Sequence, residues 1–109
     1  MALLCAGKGG NMSNDLRKLA KGKPCLIRIP GVCNRNPETT VLAHYRMADL
    51  CGVGMKPPDW CGAWACSACH DAVDGRVNLS KVWTHYELRI MHAEGVFRTL
   101  AEVENMSHE

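Results

Sequence analysis

The chain has 109 residues, seven cysteines and a net charge of +2, and this length suits a single domain. Three Trp, two Tyr and one Phe make a thin aromatic core, so we expect a bound metal to help hold the fold together. The odd number of cysteines and an N-terminus that is a poor signal peptide argue against a secreted disulfide scaffold. No apolar run is long enough to span a bilayer. We therefore expect a cytoplasmic protein whose thiols are reduced and mostly committed to metal.

The chain begins with a segment that shows no structural pattern. Residues 1–12 are rich in glycine, and we expect a flexible extension that the domain does not need for stability. Ser13 or Asn14 can then cap a short basic helix that runs through Leu19. These signals predict a single domain over residues 13–109.

The middle of the chain has the character of short strands separated by turns and loops. Residues 25–29 are rich in β-branched and apolar side chains, and Pro30-Gly31 after them predicts a turn. Residues 39–45 form a second β-prone run. Residues 49–59 are rich in glycine and proline and predict a loop, while 60–65 fit a third short strand.

Helices are expected in the remainder of the chain, which gives an α+β fold class. Residues 66–74 predict a short helix that Gly75 ends, closing a ββα core over about residues 25–76. A long C-terminal helix is expected over about residues 78–104. Its pattern rests on apolar side chains that recur near helical spacing, namely Val82, Tyr86, Ile90 and Phe97.

Cys66 and Cys69 have the C-x-x-C spacing that lets two thiolates face one metal ion. Such a pair supplies half of a structural zinc site. The same spacing also occurs in redox dithiols and by chance, and both alternatives stay open on this motif alone.

Two further cysteines are needed to complete a four-thiolate zinc site. Cys25 and Cys33 flank the rigid Pro-Gly turn, which favours them as the second pair. Cys51 and Cys61 are the rival pair, although they flank a longer and more pliable segment. Cys5 is expected to be a free thiol in the N-terminal extension.

Two histidines and an aspartate are candidates for chemistry. His70 and Asp74 lie one turn apart on one face if the helix starts within the C-x-x-C motif. His44 ends the second β-prone run, where a histidine can be a general base, a metal ligand or a structural group. The order strand, histidine, loop, strand and Cys-x-x-Cys-His helix suits phosphodiester hydrolysis: the strand histidine takes a proton from water and the helix pair holds a divalent ion.

The front half of the chain is basic, with only Asp15 and Glu38 as acids between residues 13 and 46. A basic segment beside a metal site suggests a polyanionic partner such as DNA, although an ordinary solvated surface has the same composition. The candidates for nucleic-acid contact are Arg17, Lys18, Lys21, Lys23, Arg28, Arg35 and Arg46.

Taken together, these motifs resemble those of the HNH, or His-Me finger, nucleases. A closer resemblance, over about residues 13–76, is to the small phage and prophage nucleases of the YbcO family. The runs that carry it are Ile29-Pro30-Gly31-Val32-Cys33, Asn36-Pro37-Glu38-Thr39-Thr40, Val41-Leu42-Ala43-His44, Lys56-Pro57-Pro58-Asp59 and Ala65-Cys66-Ser67-Ala68-Cys69-His70-Asp71.

The resemblance implies a small zinc-stapled ββα-metal domain that cuts DNA in a phage-infected or prophage-bearing bacterial host. It implies that His44 is the general base, that His70 is a metal ligand, and that Asp74 is a second ligand of the same catalytic ion. The implied cofactors are a structural Zn²⁺ and a catalytic Mg²⁺, Mn²⁺ or Zn²⁺.

The sequence departs from the superfamily's pattern at two points. Ala43 stands where many HNH enzymes have an acidic or histidine ligand, and no asparagine corresponds to the residue that orients the base. Asp59 is nearest in order and can orient His44 by accepting from its ring N–H. The alternatives are a zinc-stapled nucleic-acid-binding module without catalysis and a zinc-folded interaction protein. The long C-terminal helix either joins two copies in a homodimer or covers the core.

Overall fold

The structure, a computed structural model, describes residues 11–47 and 57–107. Within those residues it has the predicted α+β architecture, with a two-stranded sheet and a long C-terminal helix. The elements in chain order are α1 (Asn11–Ala20), β1 (Val41–His44), β2 (Gly62–Ala65), α2 (Ser67–Val73) and α3 (His85–Ser107).

The predicted boundary after residue 12 falls within α1, which begins at Asn11 rather than at Ser13 or Asn14. Residues 1–10, and with them Cys5, lie outside the described residues, so the expectation that residues 1–12 are dispensable stays a prediction. Residues 48–56, which include Cys51 and most of the loop expected over 49–59, also lie outside them.

β1 and β2 pair antiparallel, with Ala43 opposite Ala63 and His44 opposite Gly62. β2 is buried along its whole length, because α3 packs across it. A side chain at Gly95 would lie 2.8 Å from Ile27 and 3.2 Å from Ala63, so glycine is needed where α3 crosses the sheet. The tight crossing places polar groups of α3 against both strands.

The predicted strand over residues 25–29 is wrong. Leu26 N–H donates to the Trp64 carbonyl at 2.7 Å, but the segment then leaves the extended conformation because Arg28 has a φ of +57°. The predicted turn does form: Val32 and Cys33 N–H both donate to the Ile29 carbonyl. The β-branched composition was therefore misleading, since these apolar side chains fill the core from an irregular segment.

α2 ends as the sequence predicts. Gly75 has a φ of +78°, and its N–H donates to the Ala72 carbonyl while Arg76 N–H donates to that of Asp71. This pair of hydrogen bonds is the Schellman ending that favours glycine. At the other end, the Cys66 sulfur accepts from Cys69 N–H and caps the helix.

α3 begins seven residues later than predicted. The preceding residues form a turn in which Trp83 N–H donates to the Leu79 carbonyl at 2.8 Å. Thr84 then starts the helix: its hydroxyl accepts from Glu87 N–H at 3.0 Å, and the Glu87 carboxylate accepts from Thr84 N–H at 2.8 Å. This reciprocal capping box was legible in the sequence as Thr-x-x-Glu.

The apolar residues whose spacing indicated α3 are not those that face the core. His92, Gly95, Val96 and Thr99 are buried instead, and the side chains of His92 and Thr99 form hydrogen bonds with the sheet. The Thr99 hydroxyl accepts from Trp64 N–H at 2.9 Å and donates to the Gly95 carbonyl at 2.8 Å. Although α3 is long, none of the described helices combines the length and apolar character needed to cross a membrane.

Candidate metal centre and active site

Four cysteines from three parts of the chain meet beside the start of α2. The sulfurs of Cys25, Cys33, Cys66 and Cys69 all lie within 4.8 Å of one another. Cys25 and Cys33 come from the two ends of the Pro-Gly turn, and the other two come from the first turn of α2. Three of the four are buried, and Cys33 is half-buried.

The donor set and spacing of this cluster fit zinc. Four thiolates at about 2.3 Å from a tetrahedral Zn²⁺ have sulfurs about 3.8 Å apart. The sulfurs of Cys33 and Cys66 are 3.8 Å apart. Backbone N–H groups of Asn34 and Cys69 point at the Cys66 sulfur at 3.4 Å, as expected for donors that support a bound thiolate. The cluster can therefore hold a zinc ion.

The sulfurs are crowded enough to perturb one another's protonation. A hydrogen bond from the Cys69 thiol lowers the pKa of Cys25 to about 4, and the same contact raises the pKa of Cys69. Burial raises the pKa of Cys33. Ionisation is thus favoured at Cys25 and opposed at Cys33 and Cys69, and a bound cation would stabilise the thiolate form of these groups.

Cys61, one of the rival pair, does not join this cluster in the part of the chain that the structure describes. It closes the 3-10 turn Asp59–Cys61, and its carbonyl accepts from Tyr45 N–H at 2.9 Å. Burial raises the pKa of its thiol.

His44 lies at the end of β1, against a buried carboxylate. Its Nε2 is 2.5 Å from Oδ1 of Asp59, whose side chain is only 4% exposed. Arg17, from α1, has its Nε 3.8 Å from Oδ2 of the same carboxylate. That Oδ2 has no hydrogen bond to any described residue, so Arg17 balances its charge without bonding it directly. A carboxylate in this position favours the tautomer with the proton on Nε2 of His44.

His70 and Asp74 form the second pair of candidate residues. His70 Nε2 lies 3.2 Å from Oδ2 of Asp74, one helical turn on, and both side chains are partly exposed. The Arg76 guanidinium lies 3.7 Å from the same carboxylate oxygen of Asp74 and 3.6 Å from Oδ1 of Asp71. The expected alignment on one face of α2 is therefore present.

A small cavity of about 150 Å³ brings the two candidate groups together. His44 and Asp74 both line it, whereas His70 is not among its lining residues and lies 3.2 Å from Asp74. The remaining lining residues come from the end of β1, from α2 and from the start of α3, and they are Arg46, Val73, His85, Leu88, Arg89 and His92.

Sequence reasoning missed the contribution of α3 to this cavity. His85 and His92 are seven residues apart, which places them on the same face of a helix, with Arg89 between them. His92 Nε2 donates to the Ala43 carbonyl at 2.9 Å, and burial lowers its pKa. The i, i+7 spacing of the histidines was the available signal, but it could not show which face meets the strand.

The expected basic residues do not form a single described cluster. Arg17 pairs with the Asp59 carboxylate that contacts His44, and Arg46 lines the same cavity as His44. Arg28 and Arg35 line a larger cavity of about 400 Å³ beside the cysteines. Lys23 lies over the Trp64 ring at 5.9 Å. Lys18 and Lys21 are exposed.

A comparison with protein families shows which family this chain is related to. The model described as "Putative nuclease YbcO" matches residues 14–108, which is most of the chain. The chain belongs to the YbcO family. Two curated members, from Escherichia coli (strain K12) and Enterobacteria phage 82, are each 62% identical over 65 residues, which cover 60% of this chain and 68% of theirs. Both carry the name "Putative nuclease YbcO" in one spelling or another.

The fold of this chain is similar to that of a solved structure. That structure is titled "Structure of a putative bacteriophage protein from Escherichia coli str. K-12 substr. MG1655" and is 41% identical to this chain. The match has a TM-score of 0.70 and covers 85% of this chain and 100% of the other.

Proposed function

We propose that the protein is a metal-dependent DNA endonuclease of the HNH, or His-Me finger, type. The names of its YbcO-family relatives support a nuclease, and the order of β1, β2 and α2 supports a ββα-metal domain. The single observation that carries the proposal is the contact of His44 with Asp59, at the rim of a cavity that Asp74 also lines.

In the proposed reaction, His44 acts as the general base. Its Nε2–H donates to Asp59, which leaves Nδ1 as the nitrogen that accepts a proton from water. The water oxygen attacks the phosphorus atom, the phosphorus–oxygen bond to the leaving sugar breaks, and the leaving oxygen takes a proton from solvent. Asp59 and Arg17 hold the ring in place, so both are positioning residues.

His70 and Asp74 would hold the divalent ion. Two ligands at about 2.1 Å from an octahedral ion lie about 3.0 Å apart, close to the 3.2 Å between His70 Nε2 and Asp74 Oδ2. Nitrogen and carboxylate donors suit Mn²⁺ and Zn²⁺, and a carboxylate with water also suits Mg²⁺. When bound, the ion supplies positive charge that stabilises the phosphate oxygens and the leaving oxygen.

The four cysteines have a structural part in this proposal. A Zn²⁺ held by Cys25, Cys33, Cys66 and Cys69 would fix the first turn of α2 to the 25–33 segment. Because His70 follows Cys69 directly, its ring direction would then be set before any substrate binds.

The test is cleavage of supercoiled plasmid and of branched DNA by the zinc-loaded protein, with Mg²⁺, Mn²⁺ or EDTA. We expect cleavage with at least one ion and none with EDTA. His44→Ala should lower the rate by at least about 100-fold while binding DNA as well as the wild type, since the base acts only in the chemical step.

Asp71 in α2 and Asp74 directly after it provide a matched pair of variants. Asp74→Ala should slow cleavage and weaken binding of the divalent ion, whereas Asp71→Ala removes the same charge three residues earlier and should do neither. A wild-type protein that binds DNA but cuts none with any ion would instead support the zinc-stapled binding module. Equal cleavage by His44→Ala and wild type would also overturn the proposed mechanism.

A further inference from the structure

A stripe of apolar side chains runs along the outer side of α3, away from the core. Tyr86, Ile90, Phe97 and Leu100 are 80%, 57%, 71% and 36% exposed, and Ala93 lies between them. These five positions are separated alternately by four and three residues. That is the a/d spacing of a coiled-coil helix, with Ile90 and Phe97 at a positions and the other three at d. We call these five residues the α3 seam.

The α3 seam has an exposed apolar area near the lower limit for a specific protein interface. The exposed parts of its four large side chains amount to roughly 500 Å² per chain, so burying them between two copies would remove about 1,000 Å². That total is the size at which specific protein interfaces begin. A contiguous apolar patch of a few hundred Å² on a monomer also marks an interaction site.

The surface shape of the α3 seam suits the side chains of a partner helix. A groove of about 360 Å³ follows it, bordered by Tyr45 and Arg89 on one side and by Glu94 on the other. The small Ala93 lies between the larger Ile90 and Phe97 and leaves a notch in the middle of the groove. Alternating large and small side chains of this kind accept knobs from a facing helix.

The charges that flank the seam favour a second copy of the same chain, aligned in parallel. Arg89 lies at a g position and Glu94 at the e position five residues on, the two that face each other between parallel helices. An antiparallel pair centred near this point would instead bring the Glu94 side chains of the two copies towards each other. Contacts within the chain hold the Arg89 side chain beside the seam: its guanidinium stacks on the Tyr45 ring at 4.1 Å and donates a hydrogen bond to the Arg46 carbonyl.

We propose that two copies of the chain form a dimer by packing their α3 seams together in parallel. This pairing is independent of the nuclease activity. Its consequence for activity rests on the proposed function: since His85 and Arg89 line the His44 cavity, parallel pairing places both cavities at the same end of the dimer. The dimer would then present two active sites to one DNA.

Sedimentation equilibrium of the full zinc-loaded chain tests the pairing. We expect a species of twice the 12.0 kDa chain mass. Phe97→Glu and Ile90→Glu should each raise the dimer dissociation constant at least tenfold, because each buries a charge in the interface. Val77→Glu is the matched control, since Val77 is also apolar and 45% exposed but lies outside α3, and it should leave the dimer intact.

Far-ultraviolet circular dichroism and zinc content show whether each variant is folded. A wild type that stays monomeric at millimolar concentration would overturn the proposal, including the case in which residues 1–10 of the same chain cover the seam. A dimer that Phe97→Glu and Ile90→Glu leave unchanged in folded protein would overturn it as well.

Cross-linking tests the alignment. In a parallel pair the two Leu100 positions are neighbours, so Leu100→Cys should form an intermolecular disulfide on mild oxidation. In an antiparallel pair Leu100 would face Ile90, about 15 Å along the helix from the other Leu100, and no such bond would form. The unsubstituted protein and the Leu100→Cys/Phe97→Glu double variant are the controls. A dimer without this disulfide would overturn the parallel alignment.

Discussion

Among the cysteines, position in the fold rather than spacing decides which thiols can share a metal ion. Sequence spacing favoured Cys25 and Cys33 over Cys51 and Cys61 only because a Pro-Gly turn is rigid. In the structure, the first two sulfurs meet those of α2, while Cys61 is buried at a different turn. The C-x-x-C pair could be predicted because its geometry is local, whereas its partners depend on how a distant segment docks.

Cys25→Ser should therefore lose zinc, because it removes one of the four thiolates. Zinc content should fall well below one ion per chain, and the melting temperature should fall with it, since metal binding contributes directly to folding. A loss of only about 2 kcal/mol already lowers Tm by roughly 10 °C in a domain of about this size. Atomic absorption and a thermal melt provide the two measurements.

Cys61→Ser makes the same substitution at a buried cysteine outside the cluster. It should keep full zinc content, although burying a hydroxyl in place of a thiol costs some stability. If Cys25→Ser kept its zinc while Cys61→Ser lost it, the rival cysteine pair would be the metal site.

The secondary-structure elements were predictable where their signals are local. β1 lies within the β-prone run 39–45, β2 within the expected strand 60–65, and α2 within the segment that the C-x-x-C and glycine signals indicated. The strand expected over residues 25–29 does not form, because its apolar residues, which lie beside the cysteine cluster, pack into the core without pairing along a sheet. The cavity residues on α3 could not be predicted, because their role depends on which face of that helix meets β1.

The start of α3 was set by a signal in the sequence, the Thr84–Glu87 capping box. Thr84→Ala removes the hydroxyl that accepts from Glu87 N–H, so we expect a loss of about 1 kcal/mol in unfolding free energy. This corresponds to a Tm lower by about 4–8 °C. Thr84→Ser keeps the acceptor and should stay close to the wild type in a thermal or urea melt. Equal stability of the alanine and serine variants would show that the cap does not matter.

Although the net charge of the whole molecule is only +2, its basic side chains are unevenly distributed. Arg17 and Arg46 flank the His44 site, while Arg28 and Arg35 lie beside the cysteine cluster. A duplex lying over the His44 cavity would therefore meet basic side chains from α1 and from the end of β1. Phosphates near these residues would be held mainly by charge, without regard to base sequence.

This distribution predicts that affinity for DNA falls steeply with salt. Each phosphate neutralised by a basic side chain releases counterions. The slope of log affinity against log salt concentration should therefore become less steep by about 0.9 when one contact is removed. Arg46→Gln should show that change and should weaken binding to unrelated DNA sequences alike, as measured by fluorescence anisotropy from low to physiological salt.

Lys81→Gln removes the same charge from the turn before α3, outside the basic segment and away from the His44 cavity, and serves as the control. Its slope should equal that of the wild type, because a charge that contacts no phosphate releases no counterion. Equal slopes for Arg46→Gln and Lys81→Gln would mean that Arg46 does not contact the backbone. An affinity that does not change with salt would contradict phosphate contact by the basic segment as a whole, and with it the DNA-binding surface on which the nuclease proposal depends.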